Sequence, residues 1–245
     1  MHDGVSGRGD SRIDLNRCGT PLLEIVSQPD LRSATEAKNY LTELKLRMTH
    51  LGVSDCEMQE GSLRVDANVN LHIDVKGKRI ATPIAEIKNM NSFRAVEHAI
   101  EHEVDRQYDA WEETGKTIKD ETKTTRGWDD ATGKTFLQRE KEESADYRYF
   151  PDPDLLPIRI PKERVNEARA NLGELPDELR QRLQDQYGIK LYDANVIVNQ
   201  GRELIEYFEA AATASGDGKR TSAWIQQDVM RTLNEQQITI ADFVV

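Results

Sequence analysis

At 245 residues, with 31% charged and 37% apolar side chains, the chain can enclose a real core in one large or two modest domains and is not a disordered polymer. No apolar run approaches the ~20 residues of a membrane span, the first ten residues lack the apolar centre of a signal peptide, and Cys18 and Cys56 stand far apart outside any CxxC spacing; a cytoplasmic protein without a disulfide framework or thiolate metal site is expected. The formal charge of −11, of which −4 falls from Pro161 onward, argues against nucleic-acid binding by bulk electrostatics and confines any RNA contact to a local patch.

Taken in order, residues 1–10 are Gly-rich and polar, a loop. Residues 22–26 form a short apolar run between Pro21 and Pro29 and read as a buried strand with Glu24 in its middle. A carboxylate in a dry strand needs a metal, a cation or hydrogen-bond donors; an ion pair with Arg17 meets the same demand. Ser33 and Glu36 make a capping-box start for a helix whose stripe is Ala37, Tyr40, Leu41, Leu44, Met48 and Leu51, ending at Gly52. Strict alternation from Leu63 to Val75 predicts one long strand, apolar on one face and polar on the other. Lys76-Gly77-Lys78 turns the chain into a returning strand over 79–88, with Pro83 marking an edge or bulge. Arg64, Asp66 and Asn68 then share the hairpin's polar face, with Glu86 and Lys88 as further candidates.

Asn91 and Ser92 cap a second helix with the stripe Phe93, Val96, Ile100, Val104, Tyr108 and Trp111. A second hairpin is expected over 121–139 around Asp130 to Gly133. The acidic, aromatic segment 140–157 carries three prolines and reads as an ordered loop or edge. From about residue 161 helix formers dominate, with helices at 161–172, 176–187, 192–199, 201–214 and 221–235, a small all-α domain closed by 239–245.

The sharpest short chemical pattern is His98, Glu101 and His102, an HxxEH spacing that places two imidazoles on one side of a helix as zinc peptidases require. The neighbours Glu97, Glu103 and Asp105 read instead as a solvated face, and no later helix offers a third ligand. No GxxxxGK[ST], GxGxxG or GxSxG pattern is present, so ATP handling would proceed without a P-loop.

Four ordered stretches carry a stronger signal: D-L-N-R-C-G-T-P-L-L-E-I-V-S-Q-P-D at 14–30, G-V-S-D at 52–55 running on to E-G-S-L-R-V-D-A-N at 60–68, E-I-K-N-M-N-S-F at 86–93, and D-Y-R-Y-F-P-D-P-D-L at 146–155. Together they resemble the B subunit of the glutamine-dependent aspartyl/glutamyl-tRNA amidotransferase. The resemblance implies an α+β fold: the later part of an antiparallel-sheet, kinase-like cradle domain over 1–160, then the helical domain over 161–245. It implies that the sequence starts and stops inside a longer protein, so that part of the metal site lies elsewhere.

It further implies an ATP- and Mg2+-dependent ligase. The B-type protein phosphorylates the side-chain carboxylate of Glu or Asp mischarged on tRNA(Gln) or tRNA(Asn), while a partner amidase subunit supplies ammonia from glutamine and a small C subunit completes the heterotrimer. Glu24 is then a magnesium ligand. Arg17, Arg64, Lys88 and Arg148 are the candidates for phosphate or carboxylate contacts, and Asp66, Asn68, Glu86 and Asn89 for the cleft lining. In the helical domain Lys190, Lys219 and Arg220 are candidates for a tRNA contact. A catalytically incomplete scaffold that only binds tRNA or partners is the alternative.

Overall fold

The structure is a computed structural model and describes residues 19–140 and 156–243. The chain divides into two compact units, Met1–Arg32 and Ser33–Val245. In the described part of the first, residues 21–28 have no regular secondary structure. Leu22, Leu23, Ile25 and Val26 are 91, 69, 45 and 80% exposed. The expected buried strand is therefore not formed: among the described residues no strand pairs with it, and an apolar run cannot bury itself without neighbours.

In the second unit, Ser33 caps helix α1 (Ala34–His50), its hydroxyl accepting from the Glu36 amide. The alternating stretch keeps its alternating burial except at Asn70, where it divides into two strands, β1 (Ala67–Val69) and β2 (His72–Val75), that pair with different partners. The returning stretch breaks to match, at Pro83, into β3 (Lys78–Ala81) and β4 (Ala85–Lys88). β2 pairs with β3 in a two-stranded sheet and β1 pairs with β4 in a four-stranded one.

Thr82 ties the corner where both ribbons change partner. Its amide donates to the Leu71 carbonyl at 2.9 Å and its hydroxyl accepts from the Leu71 amide at 2.8 Å. Gln107 reaches in from helix α2 (Phe93–Thr114), accepting from the Thr82 hydroxyl at 2.6 Å and donating to the Val69 carbonyl at 3.0 Å. Those buried polar groups would otherwise lack partners, which is costly away from water.

The four-stranded sheet runs β1-β4-β5-β6, with β5 (Thr124–Asp129) and β6 (Lys134–Glu140) forming the expected second hairpin. Its β4–β5 pair is parallel where an antiparallel sheet was expected, because the 22 residues of α2 carry the chain across between them. One core lies between α1, α2 and one sheet face, built on Leu41, Ile87, Ala95, Val96, Ala99 and Trp128. On α2 the buried line runs Ala95, Ala99, Glu103 and Gln107, and Val104 and Tyr108 of the expected stripe are left 39 and 44% exposed.

Five helical segments follow close to their expected bounds: α3 (Lys162–Ala170), α4 (Pro176–Tyr187), α5 (Leu191–Asn199), α6 (Arg202–Ser215), and α7 (Gly218–Trp224) continuing through a π-helical turn, Ile225–Val229, into α8 (Met230–Gln236). Leu183, Ile197, Phe208, Ile225 and Val229 form a second core with no solvent exposure. Gly188 and Gly216 end α4 and α6 at φ +64° and +70°, a left-handed conformation that glycine adopts without a side-chain clash. No helix among the described residues is long and apolar enough to cross a membrane.

Candidate functional site

The sheet has one face against α1 and α2 and one that is not covered by them. Alternation decides what each shows. Val65, Ala67 and Val69 point into the core, and Ile87 of β4 is fully buried there. Asp66, Asn68, Glu86 and Lys88 therefore project from the opposite face, with Asn68 directly across from Glu86. Four of the sequence-selected residues are thus brought together. Lys88 Nζ lies 2.6 Å from Asp66 Oδ2 and 3.6 Å from Glu86 Oε1.

Two residues that sequence reasoning missed complete the cluster. Lys123 Nζ stands 3.6 Å from the same Glu86 oxygen, and the Thr125 hydroxyl, directly across from Glu86 on β5, donates to its other oxygen at 3.4 Å. Glu86 ends up only 9% exposed between two ammonium groups. The hydrogen bond to Asp66 holds Lys88 above the usual lysine range; burial opposes this, and the negative charges of Asp66 and Glu86 add to it. The result is a fixed cation on the sheet face turned away from α1 and α2.

Gly127, across from Lys88, keeps room on that face: a Cβ there would lie 2.6 Å from Phe136 Cζ and 2.7 Å from Gln138 Nε2, so both side chains cross over it from β6. Arg64 is exposed two residues before Asp66, on the same side of the ribbon by alternation. Asn89 is exposed at the end of β4 with φ +66°, a left-handed conformation that Asn tolerates better than most residues. Glu24 belongs to the Met1–Arg32 unit and is exposed there. Arg17 and Arg148 lie outside the described residues.

The carboxylate that the fold does bury is Glu103, placed by sequence on a solvated face and 0% exposed in the structure. Arg106 reaches its two oxygens at 2.8 Å each, Gln107 donates at 3.1 Å, and the Thr135 hydroxyl donates as well. Arg126 Nε lies 2.9 Å from Glu103 Oε1 and also donates to the Thr135 hydroxyl at 2.9 Å. Burial alone would raise the Glu103 pKa, but the donated hydrogen bonds and the Arg106 charge take it below the ordinary carboxylate value. A line of small and polar residues at i, i+4, i+8 and i+12 (Ala95, Ala99, Glu103, Gln107) is the sequence signal that marks this face.

His102 of the HxxEH pattern packs edge-on against Trp128 at 6.3 Å, and burial lowers its pKa. Among the described residues no three His, Cys, Asp or Glu side chains gather as a metal site.

A family profile described as the GatB/GatE catalytic domain matches residues 1–166, a span that includes every strand of both sheets and the Glu86 cluster. Among similar proteins, the B subunit of the aspartyl/glutamyl-tRNA(Asn/Gln) amidotransferase of Rhodopirellula baltica is 70% identical over 99% of this chain and 49% of its own length. Its namesakes in Chlorobium luteolum and Leptospira biflexa are 48 and 45% identical, over 96 and 100% of this chain and 48% of their own lengths. The chain thus spans about half the length of the curated relatives it matches. With more than half of its residues matched by that profile, including the strands that carry the lysine-flanked carboxylate, the chain belongs to the GatB/GatE catalytic-domain family.

Proposed function

We propose that this chain is part of the B subunit of a tRNA-dependent amidotransferase, and that the sheet face turned away from α1 and α2 is where its charged ligands are handled. The reaction has two bond exchanges. A side-chain carboxylate oxygen of Glu or Asp on a mischarged tRNA takes the γ-phosphoryl group of ATP, and ADP leaves. Ammonia released from glutamine by a partner amidase subunit then attacks the acyl phosphate, a C–N bond forms, and inorganic phosphate departs. The enzyme is accordingly a carbon–nitrogen ligase working with an A-type amidase and a small C subunit, producing Gln-tRNA(Gln) or Asn-tRNA(Asn).

The observation that carries this reading is Glu86 held between Lys88 and Lys123 within a segment matched by the catalytic-domain profile. Phosphoryl transfer requires charge neutralisation and alignment more than covalent participation. Lys88, anchored by Asp66, offers an ammonium in a fixed place to an anionic phosphate or carboxylate. Glu86 fixes the two lysines, and Asn68, Asn89 and Arg64 line the approach. Arg17 and Arg148 are proposed as further anion contacts.

Magnesium takes oxygen ligands, usually one or two carboxylates with water and phosphate completing the shell. Glu24, exposed in its own unit, is the proposed protein ligand of this chain. Asp66 and Glu86 do not fit that role, since both are already bound to Lys88. We also propose the division near residue 160, with the cradle-type domain before it and the helical domain after it turned to the tRNA.

The test is Lys88→Ala in the full-length protein, assembled with its amidase and C-type partners and assayed for ATP-dependent amidation of Glu-tRNA(Gln). Amidation is expected to fall by about 100-fold, the usual consequence of removing one fixed charge-stabilising donor, with Lys88→Arg recovering part of it. Undiminished amidation in Lys88→Ala would refute the assignment.

A further inference from the structure

β5 is a strand with two tasks on two faces. Inward, Arg126 reaches Glu103 on α2 and Thr135 on β6, where its Nη2 also donates to the Thr135 carbonyl at 3.0 Å. Outward, the residues on either side of Arg126 meet the lysine cluster: Thr125 donates to Glu86, and Gly127 leaves the space that Phe136 and Gln138 cross beside Lys88. Between Thr125 and Arg126 the pairing with β6 slips: Thr125 faces Arg139 and Arg126 faces Leu137, so Gln138 has no partner in the ladder. Such a bulge loosens the register that the ladder itself would enforce.

Side-chain period two makes any one-residue slip of β5 severe. Arg126 would swing to the opposite face, and Thr125 and Gly127 would turn inward. Two residues on the inner side of β5 oppose this slip: Trp128, which is buried in the core, and Arg126, which answers the fully buried Glu103 carboxylate at 2.9 Å. A buried ion pair adds little stability over an apolar pair of equal volume, and its best-attested use is to fix one register.

We propose that Glu103 is a positioning residue for the lysine-flanked site: by holding Arg126 and Thr135 inward, it sets the β5 register that puts Thr125 against Glu86 and Gly127 beside Lys88. The inference rests on the function proposed above insofar as that site is where the reaction occurs. Glu103 touches no substrate and acts only through β5.

The experiment has two arms. In the assembled enzyme, Glu103→Gln is expected to lower kcat for ATP-dependent amidation by about 10-fold per folded molecule, with the KM values for ATP and charged tRNA within about twofold. The double variant Glu103→Met with Arg126→Met is expected to regain thermal stability without regaining kcat, a split that a merely structural role would not give.

In the second arm, NMR on the full chain reads the Thr125 methyl and Glu86 carboxyl resonances across the strand from the mutation. Both are expected to move in Glu103→Gln, or in Arg126→Lys should the first variant fail to fold. Unmoved resonances, or a double variant that recovers both stability and kcat, would overturn the inference. Lys88→Ala in the same assay separates the two claims. If Lys88→Ala is silent the proposed function fails and the resonances alone decide the role of Glu103; if Lys88→Ala is impaired and Glu103→Gln is not, only the positioning role fails.

Discussion

Glu103 and His102 are consecutive residues that acid attacks in the same direction from different starting points. The folded Glu103 carboxyl lies below its ordinary value of 4.5, so the unfolded chain takes up the proton first and stability is lost as pH falls through the folded value. His102 is held below its ordinary 6.5, chiefly by burial against Trp128. Its contribution is therefore complete above about pH 6.5 and declines below it, because the unfolded imidazole charges more readily. A urea midpoint measured from pH 8 to 4 is expected to hold to about 6.5 and then fall in two stages. His102→Phe should flatten the first stage and leave the second in place. A midpoint that rises on acidification would contradict both environments.

At the scale of elements, the ribbons show what patterning can and cannot reveal. Alternation from Leu63 to Val75 is real in the folded chain: burial follows it everywhere but at Asn70, which is half-buried like its neighbours. What alternation cannot show is that hydrogen bonding passes from β4 to β3 midway, because the exchange depends on Thr82 and on Gln107, which comes from a helix 25 residues further on. Pro83, which has no amide to give a ladder, was the one local hint. Thr82→Val keeps the shape and removes the hydroxyl, leaving the Leu71 amide and Gln107 short of a partner. A loss of about 1–3 kcal/mol in unfolding free energy is expected from denaturant titration. A neutral result would mean that the corner is held by packing alone.

The α2 stripe held in its first half, with Val96 buried and Phe93 and Ile100 packed on the core, and departed at Val104 and Tyr108 for a related reason. Val104 and Tyr108 satisfy a 3.6-residue period, but a helix beside a sheet buries the line its neighbours can satisfy, and Arg126 and Thr135 satisfy Glu103. Helix ends fared better, since caps are local. Ser33 and Ser92 each accept the expected amide, and glycines close α2, α4 and α6.

At the scale of the whole Ser33–Val245 unit, α1 joins the two cores: Leu41 sits in the sheet core, and Leu46 packs against the helical one. Arg180, buried on α4, binds Glu43 of α1 at 2.8 Å and Asp177 at 2.8 Å; Arg180 and Glu43 are 137 residues apart, a tie that no local pattern could disclose. The helical half was legible to within about three residues at each end, though not its π-helical turn, because helix signals are short-range. Of the candidate site, Asp66, Asn68, Glu86 and Lys88 were legible from alternation and motif. Lys123, Thr125 and Gly127 were not, since the parallel pairing of β4 with β5 arises only once α2 has crossed the sheet. Residues 22–26 mark the opposite limit: their apolar run asks for a strand, and the described residues offer it no partner.

The central claim is that Lys88, pinned between Asp66 and Glu86, serves transfer of a phosphoryl group onto a carboxylate. Its most direct test follows 18O from the side-chain carboxylate of Glu-tRNA(Gln) in the assembled enzyme, with ammonium supplied in place of glutamine so that the amidase is bypassed. The label is expected in the released inorganic phosphate with the native protein, and its rate of appearance should drop by about 100-fold in Lys88→Met. Phosphate free of label, or labelled phosphate formed at the native rate by Lys88→Met, would contradict the claim.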